Sequence, residues 1–393
     1  MRILYHNTSL GLGIGGGTHA REMLRCLRAI EGTEVDVSPA HGTGPIPPAA
    51  SGAGRAEPRG PARAAAWQTV ARFWVRPVKR EWRALRARLL ARRYDVLLFR
   101  SDLRTRLLPL AARGFPRMHV CAEINALVHD ELPVLGRVRQ PLARAEMRLF
   151  RAADSMVCKS RFLRDRLTGE GRLDKDRVLV LPNGVNVDVF DCALNEHAPG
   201  YRDAAQVPRE AFVLGYVGGM EPFRRLPEMT AHVARYLRED ARAMLLLVGD
   251  GTDRDRVAAV RAGLPEDVRR RIRCVGRIDY GDVPRWTAMF DLALFPYSNL
   301  YGSPQKLFEY LAMRKPAIGP DVPPVRDVFT HGEHLWLVPP AHTDLASTIR
   351  ALRDDPAAAA AMARRGYEHV VRHHTWRHSA ERLSRFLAER LAS

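Results

Sequence analysis

Lysine is nearly missing from this 393-residue chain, occurring only at 79, 159, 175, 306 and 315, although Lys and Arg together number 62 against 44 acidic residues. The formal charge of +18 is therefore an arginine charge. Coding bias spreads such a skew over a whole surface, so it does not choose among nucleic acid, an anionic membrane and a small anionic substrate. Long apolar runs are lacking too. None reaches about 18 residues, and no membrane span is expected. The N-terminal MRILYHNTSLG has no apolar stretch followed by a small-residue cleavage site, so no signal peptide is expected and the expected location is the cytoplasm. Cysteines 26, 121, 158, 192 and 274 are odd in number and never form a C-x-x-C pair, which excludes a disulfide framework and a zinc site. No D-x-D motif fits a strand end, so no essential metal is expected. No basic groove interleaved with aromatics appears, and nucleic acid is not an expected partner.

What the chain does have is short apolar runs separated by helical patterns. RILYH (2–6), EVDVS (34–38), DVLLF (95–99), MHVCA (118–122), SMVC (155–158) and VLVL (178–181) form one set. FVLGYV (212–217), MLLLV (244–248), IRCVG (272–276), LALF (292–295), PAIG (316–319) and LWLV (335–338) form another. Uninterrupted apolar strands covered on both faces by helices imply parallel sheets. The fold class is therefore α/β, with two doubly wound parallel-sheet domains in tandem. Residues 1–195 make the first domain, 196–208 a hinge rich in turn formers and 209–372 the second domain; the amphipathic tail, 373–393, either closes the second domain or returns to the first. Within the first domain, 39–64 is a Pro/Gly/Ala-rich loop. The stretch that follows, 67–93, mixes Trp67, Trp74, Trp82 and Leu89 with repeated Arg. It reads either as a crossover helix packed in the core or as a basic helix lying in an anionic membrane interface.

Candidate chemistry gathers where strands end. In YGSPQKLFEYLAMRKPAIG (301–319), Ser303 is a good N-cap and Pro304 suits the first helical position. Lys306 then falls in the first turn, where the helix dipole disfavours a cation. A bound anion explains it. Glu309, one turn on, is placed to take two hydroxyls through its two oxygens, or else forms a surface ion pair with Lys306. Gly218 and Gly219, followed by Arg224 and Arg225, end one strand of the same domain. Gly249–Gly251 end a second, and Gly276 with Arg277 a third. Four strand ends carrying glycine turns or cations point to one ligand site, and a nucleoside diphosphate fits its groups. In the first domain Gly15–Gly17 lie between a strand and a helix, which suits either a tight turn or an anion site.

These motifs resemble the GT-B-fold, retaining, nucleotide-sugar-dependent glycosyltransferases of the large bacterial group known as family 4 or group 1. The resemblance covers almost the whole chain and rests most specifically on PNGVNVDVF (182–190) and SPQKLFEY (303–310). It implies two Rossmann-like domains facing a cleft and a C-terminal helix crossing back to the first. It implies a UDP- or GDP-sugar as donor and no other essential cofactor. By position, Glu309 matches the glutamate that holds the donor ribose, Arg224 the basic residue on the diphosphate, and Arg277 and Ile278 the backbone that reads the base. Gly16, with Gly17 beside it, falls in the loop that meets the donor phosphate from the opposite domain. The helix start at Ser303–Pro304 and Lys306 would complete the phosphate site.

Three positions depart from the family pattern. Tyr301 stands where the first glutamate of E-x7-E is usual. Gly219 stands where a basic residue is usual, leaving Arg224, Arg225 and Lys306 to carry the phosphate charge. Asn125 stands where many members have His, with Glu123 two residues before it. The implied reaction moves a hexose-type sugar to an acceptor hydroxyl on a glycan, a lipid-linked molecule or a small metabolite, with retention. Arg224 and Lys306 would stabilise the leaving diphosphate, and Asn125 and Glu123 would orient the sugar or acceptor. Two rivals use the same fold: a sugar-nucleotide 2-epimerase, and a non-catalytic docking module.

Overall fold

The computed structural model describes residues 1–7, 15–38, 85–86, 89–101, 105, 118–127, 139–170, 172–191, 199–341 and 344–392. They form two compact units. The first comprises Met1–Cys158, Leu163–Val180 and Ala380–Ser393, and the second Lys159–Phe162 and Leu181–Ser379.

In the first unit the elements run β1 (Arg2–His6), α1 (Gly15–Arg28), β2 (Glu34–Ser38), β3 (Val96–Arg100), β4 (His119–Ile124), α2 (Arg139–Phe150), β5 (Ser155–Cys158), α3 (Arg161–Gly169) and β6 (Val178–Val180). The strands pair in parallel in the order β2-β1-β3-β4-β5-β6. Leu97, Phe99, Val120, Ala122 and Met156 are buried together with Leu163 and Leu167 of α3. Each of the Leu, Phe, Val and Met side chains contributes roughly 1.5–3 kcal/mol by leaving water. That is why the central positions of these runs are mostly apolar. Among the buried polar residues of these strands, His6, Ser38, Glu123 and Ser155, Glu123 is the carboxylate.

The second unit runs α4 (Pro199–Ala204), β7 (Phe212–Val217), α5 (Leu226–Glu239), β8 (Ala243–Val248), α6 (Arg254–Ala262), α7 (Glu266–Arg270), β9 (Ile272–Gly276), α8 (Val283–Ala288), β10 (Leu292–Leu294), α9 (Gln305–Ala312), β11 (Ala317–Pro320), α10 (Pro323–Arg326), β12 (Trp336–Val338), α11 (Leu345–Asp354) and α12 (Pro356–His373). Its sheet reads β9-β8-β7-β10-β11-β12, again all parallel. From β7 the chain winds outward through β8 and β9, then returns to add β10, β11 and β12 on the other side. This is the 3-2-1-4-5-6 order of a doubly wound sheet, with its reversal between β7 and β10. Ligands of such sheets bind outside the carboxyl ends of the strands at that reversal.

All twelve apolar runs are strands, each within two residues of its expected ends. The final helix, α13 (Trp376–Ala392), begins in the second unit and continues into the first. Before it, Val185 pairs with Thr375 as a parallel bridge: the Val185 amide donates to the His374 carbonyl, and the Trp376 amide to the Val185 carbonyl. Gly184 permits this approach, since a Cβ there would stand 2.8 Å from the Thr375 carbonyl carbon.

The stretch expected to be a hinge has its described part, 199–208, in the second unit, where the Tyr201 hydroxyl donates to Asp282 at 2.8 Å. The loop 39–64 lies outside the described residues. Of the Trp/Arg-rich stretch 67–93, Leu85 and Leu89 are described and buried in the first unit's core, and Leu90 is 65% exposed.

Candidate functional site

At the reversal of the second sheet, β7 ends in Val217 and the chain turns through Gly218 and Gly219. The turn is pinned from several sides. The Tyr216 hydroxyl donates to the Gly219 carbonyl at 2.6 Å, and the Met220 amide donates to the Asp250 carbonyl at 3.0 Å. Gly249, ending β8, has φ +134°, and a Cβ there would lie 1.9 Å from the Gly218 carbonyl oxygen. Only glycine fits both that dihedral and that contact. The Gly249 amide donates in turn to the Gly276 carbonyl at 2.8 Å, tying the ends of β8 and β9 together. A side chain at 219 would strike the Glu221 carboxylate, since its Cβ would lie 2.3 Å from Oε1.

This turn delivers Arg224. Its guanidinium carbon lies 4.3 Å from the ring centre of buried Phe295 and 4.6 Å from that of Phe223, and Nη1 donates to Ser298 Oγ at 3.0 Å. Phe295 is held by stacking on Tyr216, with centroids 6.0 Å apart and planes 11° apart. Arg224 follows β7, and Phe295 and Ser298 follow β10, so the cation spans the reversal point. No carboxylate among the described residues pairs with it. Burial pushes its pKa below the ordinary arginine value; the fields of Tyr216, Glu221, Tyr310 and Tyr301 act the other way. A part-buried cation without an ion-pair partner among the described residues is suited to receive an anion.

Arg225, expected to share the phosphate charge, is held by protein groups. Its backbone is left-handed (φ 48°), its guanidinium lies 4.5 Å from the Tyr297 ring centre, and Nη1 donates to the Pro340 carbonyl at 2.8 Å. Those contacts fasten the start of α5.

Helix α9 corrects two expectations. Pro304, not Ser303, is the N-cap, and no side chain caps the first-turn amides. Ser303 Oγ instead accepts the Asn183 amide at 3.0 Å, while Asn183 Nδ2 donates to the Ser303 carbonyl at 2.7 Å. The PNG segment thus grips the helix entry. Lys306 also has a protein partner: Nζ donates to Glu309 Oε2 at 2.6 Å and lies 5.6 Å from the Tyr280 ring centre. Glu309 is fully buried, so this is no surface pair. Its Oε1 accepts from Gln305 Nε2 at 2.7 Å and from the Tyr280 hydroxyl at 3.0 Å. The helix itself is anchored to the end of β7, where the Val217 amide donates to the Tyr310 hydroxyl at 2.9 Å. Arg277 is exposed after β9, and Ile278 is half-buried against the core. Tyr280, Gln305, Phe295 and Ser298 escape sequence reading. Tyr280 lies just after Arg277–Ile278 and Gln305 within SPQKLFEY, and that nearness is the only signal either gives.

In the first unit, α1 starts at Gly15, so Gly16 and Gly17 form its first turn. Glu123, near the end of β4, is 4% exposed, and its carboxylate is occupied by protein. Oε1 meets His19 Nε2 at 2.5 Å, and Oε2 accepts the Tyr5 hydroxyl at 3.0 Å. Asn7 Nδ2 donates to the same hydroxyl at 2.8 Å, and the half-buried Asn125 donates to Glu123 Oε1 at 3.4 Å. Burial raises the Tyr5 pKa well above the usual phenol value, with the Glu123 charge adding to it, so Tyr5 is a neutral donor. The expectation that Glu123 touches a sugar gives way to a buried carboxylate that fixes His19 and Tyr5. His19 is a further residue that sequence reading misses; its position two residues after the glycine triad is the available cue.

Two family models match the chain, one described as Glycosyltransferase Family 4 over residues 14–189 and one as Glycosyl transferase-like over 234–385. A teichuronic acid biosynthesis glycosyltransferase, TuaH, named as putative, of Bacillus subtilis is 28% identical over 229 residues, 53% of this chain and 54% of that protein. The D-inositol 3-phosphate glycosyltransferase of Kineococcus radiotolerans is 28% identical over 63% of this chain and 60% of its own length. The chain thus matches only a little over half the length of these relatives. Among solved structures, sucrose-phosphate synthase of Thermosynechococcus elongatus superposes with a TM-score of 0.72 at 18% identity, covering all of both chains. Anabaena HepE, solved with UDP, gives 0.71 at 15% identity over 99% of this chain and 100% of that one.

Proposed function

We propose that this chain, which belongs to the group 1 glycosyltransferases of the GT-B fold, moves a hexose-type sugar from a nucleoside-diphosphate sugar to an acceptor hydroxyl with retention at the anomeric carbon. The observation that carries the reading is Arg224, a part-buried cation with no carboxylate partner among the described residues, at the reversal point of the second sheet. A donor diphosphate supplies the missing charge. UDP is the preferred nucleotide, because HepE, of the same fold, was solved with UDP and with UDP-glucose.

Arg224 and the first-turn amides of α9 hold the diphosphate in this proposal. Lys306 exchanges its bond to Glu309 for a phosphate oxygen, which frees Glu309 Oε2 for a ribose hydroxyl while Tyr280 and Gln305 keep Oε1 in place. The loop at Arg277–Ile278 reads the base through its backbone. In the reaction the anomeric C–O bond to phosphate breaks, the acceptor oxygen bonds to that carbon, and the acceptor proton passes to the leaving phosphate oxygen. No protein nucleophile takes part. The protein stabilises the departing charge, chiefly through Arg224. In the first unit, Asn125 is the group proposed to orient the sugar or acceptor, with Glu123 acting through His19, and Gly16–Gly17 keep the donor-phosphate role expected of them. The acceptor is a glycan, a lipid-linked molecule or a small metabolite, and the Trp/Arg-rich stretch 67–93 is proposed to lend it an anionic membrane surface.

Calorimetric titration of the intact chain with UDP and with GDP tests this. One nucleotide should bind, and Arg224→Ala should weaken it about 10- to 100-fold, the range for a lost bond to a charged group. Absence of binding to both, or an Arg224→Ala chain that binds as well as the parent, would sink the proposal.

A further inference from the structure

Phe223 is 42% exposed, one of four large apolar side chains exposed among the described residues, beside Leu90, Leu300 and Leu391. An isolated exposed apolar residue is ordinary. This one is not isolated from the chemistry. It immediately precedes Arg224 in the short turn Pro222–Arg224, and its ring centre is 4.6 Å from the guanidinium carbon. The other ring on that carbon, Phe295, is 1% exposed and locked by Tyr216. Arg224 therefore has one fixed aromatic wall and one that stands in solvent. Ser298 takes a single N–H, and the remaining guanidinium donors have no acceptor among the described residues.

We propose that Phe223 is a positioning residue for Arg224. It presses the guanidinium against Phe295 and Ser298 and keeps water from its face, so that the unused N–H groups are pre-aimed at the donor phosphates. The turn suits this role. Pro222 fixes the backbone at its first position, and the Gly219 carbonyl just before it is held by the Tyr216 hydroxyl. A guanidinium over an aromatic face is held more firmly than one over an aliphatic surface, because the ring quadrupole attracts the cation. The inference rests on the donor-site reading given above.

The test is titration of the intact parent chain, Phe223→Ala, Phe223→Leu and Phe223→Tyr with UDP and GDP, with uridine and guanosine beside them. For the nucleotide that the parent binds, Phe223→Ala should weaken binding about 2- to 5-fold, the span of one cation–π contact at an exposed ring. Phe223→Tyr should stay within about twofold of the parent, and Phe223→Leu should fail to restore it. The matching nucleoside, which has no phosphate, should bind all four chains alike. Leu restoring full affinity, or the nucleoside losing as much as the nucleotide, would overturn the positioning role in favour of plain packing. A parent that binds neither nucleotide would overturn the donor-site reading and this inference with it. A parent that binds while Phe223→Ala is unchanged removes this inference alone.

Discussion

Replacing Lys306 by Met keeps most of the side-chain volume and removes the charge that faces Glu309 at 2.6 Å. Glu309 has no solvent exposure, whereas the Lys306 side chain is 20% exposed. Stranding one member of a buried ion pair costs about 3–5 kcal/mol, against at most about 1 kcal/mol for a surface pair. Here Glu309 keeps the Tyr280 hydroxyl and the Gln305 amide, and water can enter where the ammonium was. The expected loss therefore lies below the buried range, about 2–3 kcal/mol. In a unit of this size that lowers the melting temperature by about 4–12 °C. Urea unfolding followed by the fluorescence of Trp286 and Trp376 is the assay, with Glu309→Gln and the double variant closing a cycle. The double variant should be more stable than Lys306→Met alone, because it no longer buries a bare carboxylate. A Lys306→Met loss under about 1 kcal/mol, with coupling below about 0.5 kcal/mol, would refute the claim that this pair is buried in any energetic sense.

Other positions give independent checks. Gly249→Ala should destabilise the second unit strongly and abolish nucleotide binding, since its Cβ would overlap the Gly218 carbonyl; circular dichroism and titration would show it. Tyr310→Phe leaves the Val217 amide without its side-chain acceptor and should cost about 1–3 kcal/mol in urea unfolding. His369 is packed among His334, His373 and His374, with ring centroids 4.3–5.5 Å away, and burial together with His334 lowers its pKa to about 4. The unfolded chain takes up a proton near pH 6.5 and the folded one does not, so stability should be intact above that pH and fall as pH drops toward about 4. His369→Gln should flatten that fall by about 1–2 kcal/mol, discounted for the ring's partial contact with water; unchanged pH dependence would count against it.

The fold was legible because most strands are short apolar runs and several strand ends carry glycine turns, so local pattern and burial agree at most steps. The site was legible in part. Arg224, Lys306 and Glu309 stand out by type and spacing, but their partners do not. Phe295 and Ser298 reach Arg224 only because β10 lies beside β7, a neighbour relation set by sheet order rather than by sequence distance. Ser303 misleads for the same reason. Its hydroxyl looks free to cap α9, yet Asn183, far earlier in the chain, takes it. Glu123 is visible as an acid in an apolar strand, whereas its partners His19 and Tyr5 come from α1 and β1 and leave no local trace.

The passage of α13 from the second unit into the first bears on how the protein is made. β1 to β6 are synthesised before any of 181–379, yet Ala380 and the residues after it belong to the same compact unit as those strands. Domains tend to fold as they leave the ribosome. Here the first to emerge must wait for its last segment, Ala380–Ser393, until the whole second unit has been translated. A pause or truncation between 181 and 379 would therefore leave the first unit without its last segment even though its strands were complete.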